Sequence, residues 1–356
     1  MEGLWPSSAW QVNGEALAAT AVSSGRLLSP CPVRKVSAQL PAMISPVPRP
    51  PHGLPGLLGL GMGLALAGWV AAQTVDDALT TPRRRDATRL STEGRTFGPE
   101  VQRLQNENPR TAREEALGPG VAPNWTNPPA FAADAFTFVR VHYDVDPEAP
   151  GSSGQLRWSI DFPDSDLNLS WRLRQLTSLQ VNPDGRVLRL TEPDLARYPF
   201  LYLVEPGRLL LADAEVEALR RYLLNGGFLM FDDFWGEREW GVFEREMKKV
   251  FPDRKPVDLP MSHPIFHCVF DLRETPQVPG LPHYQAGRTY ERADAREPHY
   301  RGISDDKGRL MVLICHNTDM GDGWEREGED EGYFREHSEK FAYPLGVNII
   351  FYAMTH

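Results

Sequence analysis

Tyr198 to Asp233 reads YPFLYLVEPGRLLLADAEVEALRRYLLNGGFLMFDD, and its pattern decides the fold class. Phe200 to Val204 is a short, continuous apolar run, as expected of a strand buried on both faces. Asp213 is placed to cap a helix, with Glu215 and Glu217 in a first turn where the helix dipole favours negative charge. Val216, Leu219 and Leu223 then recur at helical spacing and form one core-facing stripe. Asn225-Gly226-Gly227 ends the helix, because glycine enters the left-handed conformation without steric cost. Phe228 to Phe231 is the next buried strand, and it runs into Asp232 and Asp233. In open α/β sheets ligands bind beyond the carboxyl ends of the strands. The stretch therefore predicts an α/β fold and points to that edge.

The flanking sequence extends the alternation. Phe136 to Tyr143 (FTFVRVHY) is aromatic and β-branched, a strand signal. Leu167 to Leu176 places apolar residues at 169, 173 and 176, a helix. Val187 to Leu190 reads as a strand and Pro193 to Tyr198 as a helical turn. Glu239 to Phe251 sets Trp240, Phe243, Met247 and Val250 on one helical face. Leu310 to Cys315 (LMVLIC) is another buried strand, and Phe341 to Met354 a closing helix with Leu345, Ile349 and Tyr352 inward. Strands alternating with helices imply a mostly parallel, doubly wound sheet covered on both faces. This domain is expected over 135–356.

Upstream, Gln73 to Asp134 is polar, charged and proline-containing, a linker or an arm lying over the domain. Arg83-Arg84-Arg85 falls in it and is read as linker. Asn124-Trp125-Thr126 fits a glycosylation sequon but also an ordinary loop. Residues 53–72, GLPGLLGLGMGLALAGWVAA, carry no charge. Val70-Ala71-Ala72 suits signal-peptidase cleavage before Gln73. The run is also long enough to anchor the chain in a membrane, and a third reading is an incidental apolar run in a cytosolic protein. Met43 would give a signal of ordinary length, which makes 1–42 an upstream extension. The expectation is an extracytoplasmic domain, periplasmic or secreted, with membrane anchoring as the alternative.

The chain of 356 residues has a formal net charge of −10, which argues against nucleic acid as a partner, since phosphate recognition needs a basic surface. A carbohydrate or protein partner in the cell envelope fits better. Three cysteines without CxxC spacing exclude a zinc ribbon or a dithiol redox motif. Cys268 and Cys315 sit in apolar contexts and are expected to be buried thiols, or a pair in an oxidising compartment.

Several motifs then resemble one family. They are Asp161, Pro163, Asp166, Asn168, Leu169 and Arg172; Tyr198 to Tyr202; Leu219-Arg220; Tyr222 to Phe228 ending on Asp232-Asp233; His263 to Phe266; Gly287-Arg288; Asn317-Thr318-Asp319; and Gly346-Val347-Asn348 with Tyr352-Ala353. In this order they resemble the domain of unknown function DUF4159, over about Phe136 to Thr355. The resemblance implies a class I glutamine amidotransferase-like, flavodoxin-like three-layer fold. It brings no established activity. Amidotransferases of that fold carry a cysteine on the turn after the strand matched by Phe228–Phe231, where this chain has Asp232, Asp233 and Phe234. Without a thiolate no thioester forms, so glutaminase chemistry is not expected.

The candidate residues lie at the carboxyl edge. Asp232, Asp233, Asn317 and Asp319 are candidate ligand-binding residues. Asp233 and His316 are candidate catalytic residues, with Asp233 as a general base. Asp233, His263, His316 and Asp319 are candidate ligands for a divalent metal, because carboxylates and imidazole suit such an ion. Each has a structural alternative: a helix cap or Arg partner for the Asp pair, and an Asn/Asp-held turn for 316–319. Adjacent side chains of an extended segment point opposite ways, so one of Asp232 and Asp233 is expected in a cleft. His263 and His267 have HxxxH spacing, but Pro264 interrupts it. Asp161, Asp164, Asp166 and Asn168 crowd the loop before the first helix, as an oxygen cluster for calcium or with Asp166 as a helix cap. Glu325 to Glu331 is expected to be a solvated loop. Trp158, Trp235, Tyr284, Tyr300 and Trp324 either stack on sugars or pack.

Two function classes follow. One is a non-catalytic binding or assembly domain that needs no cofactor. The other is a hydrolase of carbohydrate or peptide using Asp233 and His316, with or without a divalent metal.

Overall fold

The computed structural model describes residues 109–116, 122–131, 134–147 and 156–356. The chain divides into two units, Met1–Gln73 and Thr74–His356, and all described residues belong to the second. The upstream extension, the apolar run 53–72, the Gln73 boundary and the arm up to residue 108 lie outside the described residues. Among the described residues no helix is long and apolar enough to cross a membrane.

The strands are β1 (Val139–Val141), β2 (Asp144–Val145), β3 (Arg186–Leu188), β4 (Phe200–Val204), β5 (Leu209–Leu210), β6 (Phe228–Phe234), β7 (Val257–Asp258), β8 (His299–Ser304) and β9 (Leu310–His316). The main helices are α1 (Asp164–Leu176), α2 (Asp213–Leu224), α3 (Gly236–Val250), α4 (Leu281–Gln285), α5 (Met320–Glu325) and α6 (Tyr343–Thr355); a π-helical segment, Phe334–Ala342, leads into α6. Among the described residues seven strands form one sheet in the order β3-β1-β4-β6-β9-β8-β7, and β2 pairs with β5 separately.

The first five strands of that order run parallel. β8 is antiparallel to β9, and β7 to β8. The sheet is thus mostly parallel but mixed, with an antiparallel edge that the apolar pattern did not reveal. In HYRGIS the polar residues and Gly302 mask the alternation, although Tyr300, Gly302 and Ile303 are buried.

Each face is covered. Leu201, Leu203, Leu229 and Phe231 meet Leu219 and Leu223 of α2 and Phe243 and Met247 of α3. Phe200, Tyr202, Phe228 and Met230 meet Leu169 and Leu173 of α1, Trp324 of α5 and Ile349 of α6. Alternate residues of β4 and β6 feed opposite cores, so their sequences read as unbroken apolar runs. The chain steps from β1 outward to β3 and then returns past β1 to β4. Such a reversal opens a crevice at the carboxyl ends of the strands.

Some local expectations change. α2 starts at Asp213, with Ala212 rather than Asp213 at the cap position; Glu215 reaches back to the Ala212 N–H at 3.1 Å. α1 starts at Asp164. Asp166 is no cap: its carboxylate is fully buried against Arg140 at 2.5 Å. Cys315 is a buried free thiol, whereas Cys268 is exposed, and they are not bonded to each other. Trp158, Trp235, Tyr300 and Trp324 are buried, in line with the packing alternative. Glu325 is buried and ion-paired with Arg326 at 3.0 Å rather than solvated.

Candidate functional site

The site begins with an irregularity at the end of β6. Phe231 pairs with Ile314 of β9, but Phe234 pairs with His316, so β6 carries one extra residue between them. A bulge of this kind re-aims side chains. Asp233 takes a left-handed conformation, φ 54°. Asp232 turns onto the α1–α6 face, where its Oδ2 accepts from Tyr202 Oη at 2.9 Å and from the Gly321 N–H at 3.0 Å. Asp233 turns into a cleft of about 120 Å³. Its Oδ1 accepts from Trp235 Nε1 at 2.8 Å.

Two further carboxylates enter the cleft from other elements. Asp319 follows β9 and caps α5, accepting from the Asp322 N–H at 2.7 Å. Asp161 precedes α1, also in a left-handed conformation, φ 61°. Carboxylate oxygens of Asp161, Asp233 and Asp319 all lie within 4.8 Å of one another. The three residues are 8 %, 7 % and 5 % exposed. Non-glycine residues in this conformation carry backbone strain, and such residues gather at functional sites. Glu205, at φ 48°, is another, and it lines the same cleft.

Burial pushes all three carboxyls well above the usual carboxylate range, and nearby acids add to the effect. These are Glu325 and Asp322 at Asp161, Glu291 and Glu205 at Asp233, and Asp233 and Asp161 at Asp319. A second carboxylate group, Asp161 with Asp322 and Glu325, adjoins the first. That one holds its own cation: Arg326 pairs with Asp322 at 2.8 Å and with Glu325 at 3.0 Å. Arg157, Arg208, Arg238, Arg292 and Arg326 line the cleft. So does His283, 5 % exposed, with Nδ1 at 3.3 Å from Glu291 Oε1.

The segment carrying Asp161 is held from β1. Arg140 donates from Nη1 to the carbonyls of Trp158 at 3.0 Å and Ile160 at 2.9 Å while its other nitrogens bind Asp166. Gly321 lets Asp161 approach closely. A Cβ there would stand 2.2 Å from Asp161 Oδ2 and 2.9 Å from Tyr202 Oη.

Other sequence candidates lie elsewhere. His316 does not line the cleft. Its ring packs against Phe234 and Trp240, Nε2 contacts the Gly236 carbonyl at 3.2 Å, and Nδ1 contacts Arg301 at 3.1 Å. Burial lowers its pKa to about 4, so it is neutral at pH 7. Asn317 ties β9 to α3: its Oδ1 accepts from the Gly236 N–H at 2.9 Å, and its Nδ2 donates to the Glu297 carbonyl at 2.8 Å. His263 caps a short 3₁₀ turn by accepting from the Ile265 N–H, and its ring stands by Tyr352. His267 pairs instead with Asp271 at 2.8 Å. The structure thus brings together Asp233 and Asp319 and adds Asp161 and His283. No periodicity or spacing ties these last two to the edge, because the long-range path of the chain places them there.

The sequence matches the model of one family, Domain of unknown function (DUF4159), over residues 137–354. None of the curated proteins compared with it matches the chain.

Proposed function

Since the chain belongs to the DUF4159 family, whose description carries no activity, we propose from the site itself that this is a ligand-binding domain that works without a serine, threonine or cysteine nucleophile. The scaffold is amidotransferase-like, and Asp233 stands where those enzymes carry their cysteine. The strand order and the sharp β6–α3 turn support that comparison. The uncharged run 53–72 followed by Gln73 supports an extracytoplasmic domain in this reading, with membrane anchoring through that run as the alternative.

One observation carries the binding reading. Asp161, Asp233 and Asp319 converge in a cleft at the carboxyl edge of the sheet, and no serine, threonine or cysteine lines that cleft among the described residues. Oxygen acceptors at the base and guanidinium groups around them suit a small polar ligand. They include no hydroxyl or thiol nucleophile; the carboxylates there act as acceptors in this reading.

The test is a thermal-shift screen of the full chain against sugars, amino acids, nucleotides and divalent cations. A shift that disappears in both Asp233→Asn and Asp319→Asn supports the reading. A shift that persists in both places the ligand elsewhere and overturns it.

A hydrolase is the second reading. It is favoured by the His283–Glu291 pair in the same cleft as Asp233. His283 replaces His316 as the acid–base candidate in that reading. Turnover of glycoside or peptide substrates that is lost in Asp233→Asn and in His283→Gln supports it.

A further inference from the structure

We propose that Asp161, Asp233 and Asp319 bind a hard divalent cation, of the calcium, magnesium or manganese class, and that this cation is the element through which the cleft holds its ligand. The inference rests on the binding reading above and deepens it.

The first observation is the geometry. The three oxygens lie within 4.8 Å of one another, and they come from three separate parts of the chain. Oxygen ligands stand about 2.0–2.6 Å from magnesium or calcium. Two ligands on opposite sides of one ion are then about 4–5 Å apart, so the separation is one that a single cation spans.

The second observation is charge compensation. The adjoining group of Asp322 and Glu325 has Arg326 as its counter-ion. Among the described residues none of Asp161, Asp233 and Asp319 forms an ion pair, although five arginines line the same cleft. Buried carboxylates are normally paired or coordinate metals.

The third observation is independent of the cluster's charge. The Oδ2 atom of Asp161 is buried and has no hydrogen-bond partner, in a residue 8 % exposed. A buried polar atom left unsatisfied calls for a partner such as an ion. Gly321 lets that same atom approach its backbone, since a Cβ there would stand 2.2 Å from it.

The ligand chemistry sets the class of ion. All three donors are carboxylate oxygens, and no thiolate or imidazole belongs to the group. Hard oxygen donors suit magnesium, calcium and manganese rather than copper or zinc. Remaining coordination positions face the cleft, where a polar ligand completes them. Arg157, Arg292 and Arg326 already pair with acids, Glu205, Glu239 and Asp322, so an oxygen-rich partner that ligates the cation is the one expected there.

Calorimetry on the full chain, stripped with a chelator and titrated separately with Ca²⁺, Mg²⁺ and Mn²⁺, tests the inference. One ion per chain should bind, with affinity reduced at least tenfold in Asp161→Asn and in Asp319→Asn. Asp305→Asn, in a surface turn away from the cleft, should bind as the parent does. The electron paramagnetic resonance spectrum of bound Mn²⁺ on the unmodified chain is a second measure that does not depend on variants folding. No binding of any of the three ions at millimolar concentration overturns the inference, and so does binding unchanged in both Asn variants. If no ion binds but a polar ligand still gives a shift dependent on Asp233 and Asp319, the cation fails and the binding reading stands. If neither binds, both fail.

Discussion

Asp233, in the bulge that ends β6, and Asp319, just past the end of β9, bring carboxylate oxygens within 4.8 Å of each other in a largely buried setting. β6 and β9 are adjacent parallel strands, so their carboxyl ends open on the same side. The two residues compete with each other for charge, and Asp161 makes the competition three-way. On the binding reading proposed above, keeping three such groups without a counter-ion trades stability for function.

That trade predicts a stability gain on neutralisation. Each of the three carboxyls has a folded-state pKa above its unfolded one. These groups therefore hold more protons in the folded protein, and the stability they contribute falls as pH rises above about 4. In chelator, Asp319→Asn should be more stable than the parent by on the order of 1–3 kcal/mol. The difference should grow from pH 5 to pH 8 in urea titrations. Asn keeps the acceptor oxygen for the Asp322 N–H, so the α5 cap survives. A variant less stable than the parent at pH 8 would contradict the account.

Arg140 is expected to matter twice. Its fully buried pair with Asp166 leaves an uncompensated charge when either partner is removed, which costs about 3–5 kcal/mol. Arg140 also holds the Trp158 and Ile160 carbonyls that precede Asp161. Arg140→Met should therefore lower the melting temperature strongly and also weaken metal binding. Arg140→Met with Asp166→Leu should recover stability but not metal affinity.

The turn from α2 to β6 gives a packing prediction. Gly226 has φ 108°, and a Cβ on Gly227 would stand 2.3 Å from the Tyr222 ring. Tyr222 cannot yield freely, because its hydroxyl bonds the Tyr198 carbonyl at 2.9 Å and the Phe228 carbonyl at 3.2 Å. Gly227→Ala should cost about 1–3 kcal/mol by overpacking, and Gly226→Ala about 1 kcal/mol from its backbone conformation. Chemical denaturation of both variants checks the sizes. An unchanged midpoint for Gly227→Ala would show that the ring does not sit there.

Asp232 and His316 should tilt the pH profile in opposite directions. Burial raises Asp232 to about 7, against hydrogen bonds from Tyr202 and Gly321 that lower it. Its contribution is present below the unfolded value near 4 and is lost as pH rises to about 7. Burial lowers His316 to about 4 from 6.5. Folding then binds fewer protons, so its contribution is full above 6.5 and is lost as pH falls to about 4. Between pH 4 and 7, Asp232→Asn should make the slope of stability against pH more positive, and His316→Asn should make it more negative. At about 1.4 kcal/mol per pKa unit, each effect is a few kcal/mol. The same sign of change in both variants would contradict the assignment.

Much of the fold was legible in the residues. β4, α2 and β6 follow from apolar runs, a helical stripe and two glycines, because burial on both faces leaves a local mark. β8 was not legible, since Gly302 and exposed polar residues interrupt its pattern. The edge of the sheet was legible as a location: Asp233 and Asp319 follow strands that point the same way. His316 reads into that site because it directly follows the buried run Leu310 to Cys315, yet side-chain direction sends it to Phe234 and Trp240. Asp161 left only a run of acids before α1. Its place depends on Arg140 and on α1 crossing the sheet, which no local pattern carries.

The most direct test of the cation site is a crystal of the full chain grown with Mn²⁺ and measured for anomalous scattering. The account predicts one strong peak, about 2.0–2.6 Å from oxygens of Asp161, Asp233 and Asp319. No peak among these three residues, or ordered binding only at His263 or His316, would contradict it.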